Sequence, residues 1–393
     1  MIVERFGGGR RLMIASAAVG AVGLVLALLG LVFDPDDAAI SWLFAFDFWM
    51  GLSLGALILL GAFHTAHAKW PVVLRRVIEV MGSTVWLLPP LFIPVLLSMK
   101  HLFPWVAPPS NLPPHELELL QHKAGYLNVP FFVVRAAVFF VLWAIVATLL
   151  ERWSRRQDET GEPLLTARLW KLGAATLPFV ALALSFATLD WLMSLEPRWV
   201  STIYALYFFS GAFLAVLAIL SLVAVHGQRS SLFLGLLRPA HFHSLGKLIL
   251  GFTAFWAYMA FSQYMLVWIA NLPEEVPWYL KRTTGGWNVL FLFLALGRFL
   301  LPFFVLLSAR VKRSPLGLTL VASWTLFAHL VDVYWLLLPA RYEAAPVLHW
   351  TQPCALVGMG GLFVAFVLWR LRAGYPIPVR DPFLLESLQY NPR

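Results

Sequence analysis

Ten apolar runs, each near the ~20 residues a helix needs to cross a bilayer, leave this chain almost no way to fold in water. They fall at 12–33, 40–66, 72–98, 128–151, 168–192, 199–226, 244–270, 285–308, 315–339 and 349–372. Hydrophobic residues make up 60% of the 393 positions and charged residues 12%. A soluble domain of this size cannot bury that much apolar surface. The reading is an all-α integral membrane protein with about ten transmembrane helices. The first run is too long for a signal-peptide core and no small-residue cleavage site follows it, so it reads as a retained span.

The basic residues orient the chain. With the N-terminus inside, the inner segments hold Arg5, Arg10, Arg11, Lys69, Arg75, Arg76, Arg152, Arg155, Arg156, Arg168, Lys171, Arg229, Arg238, Lys247, Arg310, Lys312, Arg313, Arg370, Arg372, Arg380 and Arg393. The outer segments hold only Lys100, Lys123, Arg198, Lys281, Arg282 and Arg341, while Arg135 and Arg298 fall within spans. By the positive-inside rule both termini are expected in the cytoplasm. The net charge of +9 is therefore a loop property and does not point to nucleic acid.

One outer connection is long. Residues 100–128 carry five prolines and then the polar HELELLQHKAGY, which predicts a short interfacial helix. The charged, Gly-containing inner loop 151–168 is able to divide a first helix group from a second. The tail 373–393 is Pro-containing and lacks apolar periodicity, so it is expected to lie along the cytoplasmic surface. There is no clear repeat and no nucleotide-binding loop.

Charged groups within spans are costly and face the bundle interior, where they pair or line a wet path. Asp47, Arg135, Gln263 and Asp332 each lie about seven residues from the outer boundary, roughly 10 Å deep at ~1.5 Å per residue. His329 and Asp332, three apart, share a helix face, and Arg298 near mid-membrane can reach them. This layer reads either as the outer half of a proton path or as an ion-pair network, with Arg135–Asp47 and Arg298–Asp332 as the available pairs. A second group, His64, His67, Arg75, Arg76, Glu79 and Lys247, gathers near the inner boundary. Glu79, four after Arg75 and three after Arg76, is expected to pair with them.

Cofactor signals are sparse. Cys354 is the only cysteine, which excludes an intramolecular disulfide and an Fe–S cluster held by this chain alone. Only His329 lies well inside a span, so the paired axial ligands of a membrane haem are missing. His241 and His243 have ligand chemistry for zinc but no clear partners. Aromatic residues around Trp256, Tyr258, Ser262, Gln263 and Tyr264, with Trp268 and Trp335, are able to wall a quinone pocket or simply pack.

Several long stretches carry a family resemblance. HFHSLGKLILGFTAFWAYMAFSQYMLVWIANLPEEVPWYL (241–280) resembles the most distinctive block of the F subunit (ActF-type) of alternative complex III, a bacterial quinol:cytochrome c oxidoreductase. FHTAHAKWPVVLRRVIEVMGSTVWLLPPLFIPVLL (63–97), YLNVPFFVVRAAVFFVLWAIVATLL (126–150), FATLDWLMSLEPRWVSTIYALYFFSGAFLA (186–215), RFLLPFFVLLSARVKRSP (298–315) and HLVDVYWLLLP (329–339) agree with it as well.

The resemblance implies two NrfD-like four-helix bundles, helices two to five (40–192) and six to nine (199–339), with 12–33 and 349–372 as flanking helices. It implies a respiratory complex in the bacterial inner membrane, with haem and Fe–S clusters in partner subunits: a multihaem cytochrome, an Fe–S subunit, an NrfD-like C subunit and membrane anchors. Its functional candidates, carried over by position, are Asp47, His64, His67, Glu79, Arg135, Asp190, Glu196, His241, His243, Lys247, Arg298, His329 and Asp332. The chain departs from the family block at Ser244, where the block has Asp. NLPEEVPW reads as an outer docking loop.

Three functions follow as expectations. The leading one is a non-redox subunit that contributes a proton path and assembly contacts. A quinone-binding membrane anchor is the second, and a secondary transporter the third; the absent repeat and the lack of Gly/Pro-broken helix pairs count against the transporter.

Overall fold

The computed structural model describes residues 4–110 and 112–391; Arg393, counted above among the inner charges, lies outside them. It is 78% helix, and no strand occurs among the described residues. Ten helices are long and apolar enough to span a membrane. They are α1 (Arg10–Phe33), α2 (Pro35–Thr65), α3 (Val72–Leu97), α4 (Val129–Thr160), α5 (Pro163–Leu195), α6 (Tyr204–Gly227), α7 (Pro239–Ala270), α8 (Trp287–Leu307), α9 (Pro315–Ala340) and α10 (Thr351–Arg372). The chain is a multi-pass membrane protein.

Several helices outrun their apolar cores. α2 begins at Pro35, well before the expected 40, because Pro suits the first helical turn and Asp36 and Asp37 favour it electrostatically. α4 continues to Thr160 rather than 151, and Gly161 ends it in a left-handed conformation (φ 70°). Its extension is polar, but Glu151, Ser154 and Asp158 share one buried face. Hydropathy measures the bilayer crossing and misses helix that continues outside it.

Prolines shape two helices. In α3 the pair Pro89–Pro90 removes two amide donors and crowds the carbonyls of Val85 and Trp86, and residues Ser83–Leu87 tighten into a 3₁₀ turn. In α8, Pro302 crowds the carbonyl of Arg298, and Leu294–Leu300 widens into a π-helix. The indole of Trp324 donates to the Gly297 carbonyl inside that widened turn, at 2.7 Å.

α2 is almost wholly buried and touches α1, α3, α5, α6, α9 and α10. Around it, α2 packs on α3 and α5, and α4 packs on α3 and α5. On the other side α6 packs on α7 and α9, and α8 packs on α7 and α9. α1 is mostly exposed and lies along α10. Their contact is backbone on backbone: a Cβ at Gly23 would sit 2.7 Å from the Gly358 Cα, and one at Gly358 would sit 2.7 Å from the Leu24 amide nitrogen. Small residues let two helices approach this closely in a membrane. The two atoms nearest a Cβ at Gly358 are backbone atoms of Leu24 and Gly23, so Gly358→Leu should lower unfolding stability in mixed micelles by more than the ~1–3 kcal/mol typical of overpacking.

The described N-terminal segment meets the end of α10, where the Phe6 amide donates to the Gly374 carbonyl at 3.0 Å, at the termini end of the molecule. At the far end, the expected short helix forms at Pro114–Lys123, and its Glu116 pairs with Arg198.

Candidate functional site

The π-turn of α8 places Arg298 in the centre of the second helix group, 2% exposed. Its Nη1 lies 3.2 Å from Asp332 Oδ2 on α9 and donates to the Ala328 carbonyl at 2.9 Å. Its Nη2 reaches His329 Nδ1 at 3.4 Å, and the guanidinium stacks over Trp256 at 4.3 Å. Asp332 also accepts from the Tyr207 hydroxyl of α6 and from the Trp256 indole of α7, the latter at 3.3 Å. Four helices thus meet on one carboxylate. Room for this comes from Gly211, where a Cβ would stand 2.8 Å from Arg298 Nη2. With Nδ1 accepting, the His329 proton belongs on Nε2, which has no partner among the described residues and lies beside Phe48 of α2.

The expected Arg135–Asp47 pair does not form. Arg135 forks onto Asp190 of α5, Nε to Oδ2 at 2.7 Å and Nη2 to Oδ1 at 3.0 Å. Its third donor goes to the Tyr126 carbonyl at 2.9 Å, and the Tyr126 ring stacks on the guanidinium at 3.9 Å. Asp190 lies on α5, which packs directly against α4; by the expected span bounds it sits only two residues from the outer boundary while Asp47 matches Arg135 at seven, so depth points to the wrong carboxylate. Burial, aided by the nearby Asp190 charge, pushes the Tyr126 phenol up to about 12, so it caps the pair as a neutral group.

Asp47 is left alone. It is 0% exposed, and both carboxylate oxygens lack a hydrogen-bond partner among the described residues. It sits one turn before Gly51, which faces Ala212 of α6, between Phe46, packed on Trp191, and Phe48, packed on His329. The predicted outer layer therefore resolves into the Arg298 cluster, the Arg135 pair and a solitary Asp47, with Gln263 apart from all three.

At the termini end Glu79 pairs as expected, with Arg75 at 3.0 Å and Arg76 at 2.7 Å. Two further carboxylates join: Asp381 of the tail binds Arg75, and Asp158 of α4 binds Arg76. Five buried charges thus form one network with an acidic excess of one. His64 lies beside it, with Nε2 unpartnered, on a cavity of about 20 Å³ that Arg75 and Asp381 also line. That is room for about one water. His67 is exposed, has φ 49° and stacks on Trp170 at 3.8 Å, outside the network. Lys247 is exposed and does not join it.

The tail is tied down more tightly than its sequence implies. His241 Nδ1 accepts from the Arg238 amide, which leaves Nε2–H to donate to the Ser387 carbonyl, both at 3.0 Å. Ser244 bonds Tyr390 at 3.0 Å. With both ring nitrogens taken, His241 is a tail anchor and not half of a zinc site. His241→Ala should speed tryptic cleavage at the exposed Arg380 about fivefold, since the tail loses its bond from His241 to the Ser387 carbonyl, worth ~0.5–1.5 kcal/mol. At the far end Asp34, Asp37 and His349 bring ligand atoms within 4.8 Å of one another. Ion pairs with His349 and Arg341 already account for both acids.

A cavity of about 330 Å³ opens between α7 and α8. Trp256, Gln263 and Tyr264 line it, as does Trp335. Tyr258 and Ser262 do not, because they fall on the other faces of α7; Tyr258 is 63% exposed. Gln263 is buried, with Oε1 unpartnered, and Tyr207 and Trp256 connect the cavity wall to Asp332. Burial holds the Tyr279 phenol on the cavity rim well above its usual range, so it remains a donor.

Sequence reasoning missed Tyr207, Asp158, Asp381 and the burial of Arg282. Arg282 was read as a loop charge, yet it binds Glu196 at 2.7 Å and the Leu336 carbonyl at 2.8 Å, and stacks on Trp278 at 3.7 Å. Trp278 in turn stacks on Trp199 at 4.2 Å. The one available signal was the i, i+4 spacing of Trp278 and Arg282 in the short helix Val276–Thr283. Comparison with family models finds no match, and comparison with curated proteins finds none.

Proposed function

We propose that this chain is a non-redox integral subunit of a bacterial inner-membrane complex that oxidises quinol and delivers electrons to cytochrome c or another periplasmic acceptor. Its own part is to carry protons through the buried polar groups of α2 and α9, between the termini end and the far end. The observation that carries this reading is Asp47: it is fully buried with no hydrogen-bond partner among the described residues, an arrangement that is expensive to keep in a membrane interior. The free Nε2 of His329, beside Phe48 of α2, supports it. The helix neighbours support a reading of α2–α5 and α6–α9 as two NrfD-like groups. Each group carries one Arg–Asp pair across its third and fourth helices, Arg135–Asp190 and Arg298–Asp332.

The resemblance supplies the complex; haem, Fe–S clusters and the principal quinol site then belong to the partner subunits, and both termini lie in the cytoplasm. Affinity purification of the tagged chain from native membranes tests this. A multihaem cytochrome and an Fe–S subunit should migrate with it on haem-stained native gels, and a chain that migrates alone contradicts the proposal.

The cavity between α7 and α8 favours a second reading, a quinone site in this subunit, because its volume and aromatic walls suit a substituted ring and Gln263 offers a free acceptor. A photoreactive quinone should then label 256–264, and Gln263→Leu should reduce that labelling.

A further inference from the structure

A second depression, about 640 Å³, runs along the lipid-facing side of the molecule between α3 and α4. Its origin is local. The Pro89–Pro90 pair and the 3₁₀ turn before it change the course of α3, and the Trp86 indole turns outward to donate to Thr148 of α4 at 3.2 Å. On α4 the floor runs from Ala137 through Ala144 to Arg152. Its fifteen residue-to-residue steps rise about 22 Å at ~1.5 Å each, or roughly one leaflet and its headgroup region.

The groove is apolar along its length and ends in a charge. Arg152 lines its mouth at the termini end, is exposed, and has no ion-pair partner among the described residues. Arg156, one turn on, shares that face and approaches Glu162 only at 4.0 Å. Arg155 behaves differently, being bound to Glu151 at 2.8 Å. Arg152 thus lines the groove itself and Arg156 lies one turn further along the same face, where the apolar part of α4 gives way to its polar extension.

We propose that this groove is a specific site for an anionic phospholipid, with one acyl chain lying between α3 and α4 and its phosphate held by Arg152 and Arg156. An apolar slot of this length that ends in two guanidiniums matches a negatively charged amphiphile. A zwitterionic lipid gains the apolar contact but not the charge term, which is roughly fivefold in occupancy per arginine near the surface.

The test uses the full-length chain in phosphatidylcholine nanodiscs doped with either brominated phosphatidylglycerol or brominated phosphatidylcholine. Quenching assigned to Trp86 is read as the difference from Trp86→Phe. Half-maximal Trp86 quenching by the brominated anionic lipid should come at a mole fraction roughly 25-fold lower than by the zwitterionic one, and Arg152→Gln with Arg156→Gln should bring the two within about twofold. Arg152→Lys should keep most of the preference, because it keeps the charge. Equal quenching by both lipids would overturn the proposal, as would a preference that survives the double variant. Quenching by neither lipid would also overturn it and would leave the groove to a helix of another protein.

Discussion

Arg76→Met should be among the most destabilising single changes in the chain, costing about 3–5 kcal/mol, the range for breaking a buried ion pair from one side. Arg76 is 0% exposed and is the shared cation of Glu79 and Asp158. Without it three carboxylates face Arg75 alone. Glu79 keeps its contact with Arg75 and Asp158 keeps the Val379 amide at 3.0 Å, but the acidic excess rises from one to two. Adding Asp158→Asn to Arg76→Met should restore part of the loss, whereas Asp158→Asn paired with an exposed change such as Arg168→Met should not stabilise by a comparable amount. Unfolding midpoints in mixed micelles decide this. A cost for Arg76→Met within ~0.5 kcal/mol, the scale of ordinary surface changes, would show that the network is solvated and not a buried unit.

Arg298→Met should be comparably severe for a different reason. The guanidinium serves Asp332, the Ala328 carbonyl and His329 together, so its loss strands one charge and two acceptors at once. Asp332 would keep only Tyr207 and Trp256 as donors. A cost of about 3–5 kcal/mol follows from the stranded charge alone. Arg298→Lys should recover the charge but not the fork, because an ammonium cannot address a carboxylate, a carbonyl and an imidazole from one plane. Its stability should fall between the two proteins in the same denaturation series. Equal stability of the Lys and Met variants would mean that geometry, and not charge, decides the cluster.

Much of this architecture was legible before any coordinates. The ten crossings follow from apolar length, and the Arg75–Arg76–Glu79 pairing from helical spacing. The Arg298–Asp332 contact followed from depth and spacing together, because α8 and α9 are consecutive and pack side by side. The Arg135 pairing failed for want of the same information, since depth does not say which helix is the neighbour. Asp158 and Asp381 were hidden because they lie beyond the apolar runs, where the hydropathy pattern carries no signal. The tail's attachment depends on Ser387, His241 and Trp70 meeting from distant parts of the chain, and no local pattern encodes that. Tyr258 illustrates the limit of reading a stripe: it neighbours Trp256 in sequence, yet the ~100° turn per residue of a helix sends it to the lipid side.

Asp47 tests the proton reading most directly, because it is the buried acid whose replacement removes no hydrogen bond. Asp47→Asn keeps the shape and breaks no contact of either oxygen among the described residues, so assembly and thermal stability of the complex should be unchanged or slightly improved. The measurement is the number of protons translocated per electron by the purified complex in sealed vesicles, with quinol oxidation followed in parallel. The proposal predicts that Asp47→Asn loses most of the translocated protons while the complex still assembles and oxidises quinol. A wild-type proton-to-electron ratio in that variant would contradict it and leave the buried polar groups as packing.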